Sequence, residues 1–179
     1  MQELFELFDA MLARKGEVDD PRELYLELAE RIVKHVSGHF GAKHDEVAIL
    51  MLTSDEGHLR FVAPRQLAVL GSIPISKRDS IAVGVFLKKA AEATNNVPLV
   101  KHVAFFESVK LRETPAPIQK MITVPIRDGS RIVGVAQISR KGHSPQDAGL
   151  DFNAADAKKA EDLFALVGGY LLRARPDGF

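Results

Sequence analysis

The chain has 179 residues, of which 46% are hydrophobic, and its 24 Lys and Arg balance 24 Asp and Glu to a formal net charge of zero. That length suits one folded domain able to bury about 70% of its unfolded surface, and the charge balance gives no electrostatic footprint for nucleic acid or an anionic membrane. The absence of cysteine excludes disulfides, thiolate metal sites, iron–sulfur clusters and cysteine nucleophiles.

The segment Met1-Gln2-Glu3-Leu4-Phe5-Glu6 carries acids where a signal peptide needs a basic start. The longest uncharged apolar runs, Val47 to Leu52 and Ile132 to Ala136, fall far short of the ~20 residues that cross a bilayer. A cytoplasmic location without a membrane partner is the expectation.

Residues 2 to 14 place Leu4, Phe5, Phe8, Met11 and Leu12 on one helical stripe, so residues 1–18 read as an amphipathic helix that docks or dimerises ahead of a main domain over 19–174 and a tail over 175–179. Asp20, Pro21 and Glu23 form a helix start, and Leu24, Leu28, Ile32 and Val36 continue the helix to about residue 38, with Gly38 or Gly41 to stop it. The period then changes to that of strands. Val47 to Leu52 and the alternation of Leu59, Phe61 and Ala63 predict a hairpin around Ser54 to Gly57.

Ile73 to Ser76 reads as a short strand, Ser80 to Ala91 as a helix capped by Asp79, and Leu99 to Phe105 as extended chain. Met121 to Arg127 and Arg131 to Ser139 form the strongest hairpin signal, joined at Asp128-Gly129, with Pro125 calling for an edge or a bulge. Asn153 with Asp156 three residues on starts a last helix whose buried stripe is Ala160, Leu163, Phe164, Val167 and Leu171. These elements predict an α+β domain: an antiparallel sheet with the terminal helices on one face and an irregular strand and helix lid, about 72 to 117, on the other.

Residues 119 to 171 resemble the GAF domains, sensory and regulatory modules of PAS-like architecture, and the likeness extends more weakly over 22 to 118. It rests on Ile122-Thr123-Val124-Pro125-Ile126, Asp128-Gly129, Ile132-Val133-Gly134-Val135-Ala136-Gln137-Ile138, Lys141 and Asp151-Phe152-Asn153-Ala154-Ala155-Asp156. Cyclic-nucleotide-binding members carry Asn-Lys, a gap, then Phe, three residues and Asp-Glu. Lys141, Phe152 and Asp156 match this motif; Arg140 and Ala157 replace its Asn and Glu, which argues against a cyclic nucleotide. The resemblance implies a module that senses a small molecule or a protein, dimerises through its terminal helices, and signals through a partner chain; the alternative is a ligand-free dimeric scaffold. Lys141 and Asp156 are expected to form an ion pair.

No enzyme activity is expected. GxSxG, GxGxxG and Walker-type runs are lacking, and the catalytic GAF-like proteins, the free methionine sulfoxide reductases, work through cysteine thiolates. Of the six histidines His35, His39, His44, His58, His102 and His143, only His35 and His39 have ligand spacing. Gly38 falls inside that pair and the helix is expected to end there, so they read as surface histidines and no metal is predicted. The candidate ligand contacts lie on the lid: Ser76, Asp79, Ser80, His102, Phe105, Phe106 and Thr114. No particular cofactor is specified.

Overall fold

The structure is a computed structural model and describes residues 2–100 and 116–179. Helices α1 (Gln2–Ala13) and α2 (Pro21–Phe40) precede β1 (Val47–Leu52) and β2 (His58–Ala63), then α3 (Arg65–Ala68), β3 (Ser72–Pro74), α4 (Ile81–Lys88) and β4 (Glu92–Thr94). The long hairpin β5 (Ile118–Asp128) and β6 (Arg131–Lys141) and the final helix α5 (Ala154–Ala174) complete the chain, with short 3-10 turns at His44–Glu46 and Val97–Leu99. The strands form one antiparallel sheet in the order β3-β2-β1-β6-β5-β4.

Local chemistry sets the element ends. Asp20 accepts from the backbone N–H groups of Arg22 and Glu23 to start α2, with Pro21 at its first position. Gly41, the second of the two stops the sequence offers, takes the left-handed conformation at φ 60° that ends it, so α2 runs through Gly38 to Phe40. Asn153 and Asp156 cap α5 reciprocally, as their spacing predicts.

Four local expectations need correction. Ser80, not Asp79, caps α4, its hydroxyl accepting from Val83 N. Helix α4 stops at Lys88 rather than Ala91, because Lys89 turns left-handed at φ 56° and its N–H closes on Val85 O; the chain then pairs as β4. The third strand spans Ser72–Pro74. The two-residue turn between β5 and β6 is Gly129-Ser130, since Asp128 and Arg131 already pair across the hairpin. Gly129 has the expected positive φ, 57°, which a glycine at the first central position of a type II′ turn supplies. Pro125 sits two residues beyond the β4 ladder, which ends at Thr123, so that side of β5 has no strand to receive a donor.

Both faces of the sheet are covered. On one, Val47, Ile49 and Met51 of β1, Ile122, Val124 and Ile126 of β5, and Ala136 and Ile138 of β6 join a single core with α2 and α5. Helix α1 docks on the same layer of its own chain: Phe8 is fully buried, and Phe5 and Phe8 lie 5.6 and 5.2 Å from the Tyr170 ring. On the other face, Ala48, Leu50, Leu52, Leu59, Phe61, Ile73 and Val135 pack against Leu67 of α3 and Ala82, Val83 and Val85 of α4. Among the described residues no helix is long and apolar enough to cross a membrane.

Candidate functional site

Strand alternation decides which side chains of β5 and β6 look toward the lid. Ile122, Val124, Ala136 and Ile138 enter the helix-side core, so Met121 and Thr123 on β5 and Gln137 and Ser139 on β6 face the other way. The register sets Thr123 directly opposite Gln137 and Met121 opposite Ser139, with Ala48 of β1 as the other neighbour of Gln137. The result is a buried polar row beside an apolar packed region on the same face. Thr123 is fully buried and Gln137 is 4% exposed.

Gln137 Nε2 donates to Thr123 Oγ1 at 3.2 Å and to Met121 Sδ at 3.1 Å, while its Oε1 has no partner. A buried acceptor left unpaired costs about 1–3 kcal/mol relative to one that is satisfied. The Ser139 hydroxyl, by contrast, donates to Glu46 O at 3.1 Å and is committed to the fold. The other unpaired buried polar side-chain atoms among the described residues are the Tyr25 and Ser37 hydroxyls, both on α2. The amide of Gln137 is therefore the polar group of the lid face that keeps a free hydrogen-bonding end.

Of the site residues expected from sequence, Ser76 and Asp79 are exposed on the turn between β3 and α4, away from the buried row. Ser80 is buried but uses its hydroxyl on Val83 N at 3.4 Å. His102, Phe105, Phe106 and Thr114 lie outside the described residues. Thr123 and Gln137 are the residues that sequence reasoning missed. Their signal was present: once a strand is covered on both faces, its alternate polar positions are buried ones.

The GAF-like motif residues have structural partners. Lys141 Nζ reaches Asp45, contacting Oδ2 and the backbone O at 2.8 Å each, and Asp156 Oδ2 accepts from Asn153 N at 3.0 Å. The expected Lys141–Asp156 ion pair is thus replaced by a long-range pair and a local cap. The partial burial of Asp45 pushes its carboxyl upward, but the hydrogen bond and charge of Lys141 outweigh this and hold it below the usual carboxylate range. Phe152 lies under the Arg140 guanidinium, 4.0 Å from the ring centre, and Asn95 clamps its backbone through two hydrogen bonds of 2.9 Å. Asn95 follows β4 on the lid side, so this clamp joins the lid to the start of α5.

No family model matches the chain, and no curated protein matches it. Solved structures do. The GAF domain of an Acinetobacter phosphoenolpyruvate-protein phosphotransferase aligns with TM-score 0.61 at 12% identity, covering 96% of this chain and 94% of that one. A methyl-accepting chemotaxis protein aligns with TM-score 0.63 at 15% identity, over 92% and 96%. The type II free methionine-R-sulfoxide reductase of Thermoplasma acidophilum aligns with TM-score 0.60 at 18% identity, over 85% and 95%. With a six-stranded antiparallel sheet covered on both faces, these likenesses show that the chain has the fold of a GAF domain.

Proposed function

We propose that the protein is a regulatory sensor module that holds a small molecule between the lid and the Thr123–Gln137 row, and passes the bound state to a partner chain through α5. The observation that carries this reading is the half-satisfied amide of Gln137, buried in the face where a ligand polar group would complete it. The Asn95–Phe152 clamp supplies the route, because a ligand that shifts the lid also loads the first turn of α5. A homodimer through the terminal helices fits this output. Several similar structures come from signalling proteins, including the chemotaxis protein and the phosphotransferase.

Cyclic nucleotides are disfavoured, since Lys141 and Asp156 are engaged by Asp45 and Asn153. Cysteine-dependent sulfoxide reduction is foreign to a chain with no cysteine, so the reading is non-enzymatic. A second reading, a ligand-free dimeric scaffold, is favoured by the β1–β3 part of the lid face, which its own side chains fill.

Native mass spectrometry of the purified protein separates the two. The sensor reading predicts a non-covalent adduct of small-molecule mass that disappears in the double variant Thr123→Val, Gln137→Met. An adduct retained by that variant would displace the site, and a bare dimer, together with no thermal shift across a metabolite panel, would support the scaffold.

A further inference from the structure

Helix α2 carries an arrangement that the sensor reading does not use. It runs unbroken from Pro21 to Phe40, so His35 and His39 share one face at i, i+4. Their Nε2 atoms are hydrogen-bonded to each other at 3.1 Å, so that a bound ion would take the place of the shared proton, and the rings are 4.5 Å apart between centroids. The objection that the helix ends at Gly38 is removed by its continuation to Phe40.

We propose that His35 and His39 form a two-point chelate for a divalent transition-metal ion, copper(II) ahead of zinc(II), at the edge of the groove between α1 and α2. An ion bound to two cis imidazole nitrogens at 2.0–2.1 Å each holds those nitrogens about 3 Å apart, which matches their observed separation. A right-angle pair of nitrogen donors suits the tetragonal preference of copper(II) better than the wider tetrahedral angle of zinc(II).

The surroundings leave room for the rest of a coordination shell. Both histidines line a groove of about 470 Å³ with Leu4, Leu7 and Gly38. Among the described residues, a Cβ built at Gly38 would meet nothing within 4 Å. Among the described residues there is no group of three or more His, Cys, Asp or Glu placed to hold an ion, so water fills the remaining positions and the ion exchanges. Arg31 in the same groove is held by Glu27 at 2.6 Å, and Lys34 adds positive charge. That field works against hard, electrostatically bound cations such as magnesium and leaves covalent imidazole binding as the source of affinity.

The test is titration of the full chain with copper(II) and with zinc(II), followed by calorimetry and by electron paramagnetic resonance of the copper form. The expected result is one copper per chain with hyperfine coupling from two imidazole nitrogens, weaker zinc binding, and an affinity lower by about tenfold or more in His35→Gln and in His39→Gln. His143→Gln should bind like the parent. His39 is exposed, so His39→Gln stays informative even if His35→Gln disturbs folding. Copper affinity unchanged in His39→Gln, or the absence of saturable binding, would overturn the proposal.

Discussion

On its helix side the sheet presents Ile49, Met51, Ile122, Val124, Ile126, Ala136 and Ile138 to Leu28, Ile32, Phe164 and Leu171, and the seal is continuous and apolar. On its lid side the sheet presents Leu50, Leu59, Phe61 and Val135 to α3 and α4, but also Thr123 and Gln137, both buried, with Gln137 Oε1 left without a partner. Stability explains the apolar seal of the first arrangement, though α2 also buries the Tyr25 and Ser37 hydroxyls without partners. It does not explain the second, since an apolar pair would fill the same space without leaving an orphaned acceptor. Functional sites are where a protein departs from its most stable choice.

The contrast is sharpest at two glycines. A Cβ at Gly168 of α5 would stand 1.9 Å from Arg127 O, so the helix lies directly on the β5 backbone. Gly168→Ala should destabilise by about 3 kcal/mol through overpacking. Among the described residues nothing lies within 4 Å of the Cβ position of Gly84 on α4, and Gly84→Ala should be neutral or stabilising, by up to about 1 kcal/mol from helix propensity. Denaturant unfolding measures both, and equal losses would erase the difference between a helix glycine pressed on the sheet backbone and one with open space at its Cβ.

The clamp between the two sides comes next in size. Asn95→Ala removes both side-chain hydrogen bonds to the Phe152 backbone and should cost about 1–3 kcal/mol. Hydrogen exchange should then rise in the first turn of α5 while the β1–β2 amides stay protected. Exchange confined to the lid would mean that lid and α5 are uncoupled.

Much of the fold was legible because its signals are local. The caps at Asp20 and Asn153, the apolar stripes of α2 and α5 and the hairpin around Gly129 each depend on residues within a few positions of one another. Where the determinant lay far off in sequence, the reading failed: Lys141 is claimed by Asp45, 96 residues away, rather than by Asp156. Helix α4 stops at Lys88 because Lys89 turns left-handed, a residue with no such preference to announce it, and the three residues of β4 are too few to show a period. The candidate site was hidden differently. Thr123 and Gln137 look like the solvent face of a strand until both faces of the sheet are known to be covered.

A smaller effect tests the ends of the central strands β1 and β6. Asp45 is 47% exposed as a side chain and Lys141 16%, so a double-mutant cycle with Asp45→Asn and Lys141→Ala should give a coupling of about 0.2–1 kcal/mol. The folded-state pKa of Asp45 is depressed from 3.8, so the contribution is complete above about pH 4 and fades as pH falls through the lower folded value. A coupling that grows on acidification would contradict the assignment.

Whether Thr123 and Gln137 serve a ligand or the fold is decided by the unfolding free energy of the ligand-stripped double variant Thr123→Val, Gln137→Met. Replacing both members of a half-satisfied polar pair with apolar groups of similar shape should leave stability unchanged or raise it, by up to about 1 kcal/mol. A loss of more than about 1 kcal/mol would show that the pair supports the fold and is not held in reserve for a bound molecule.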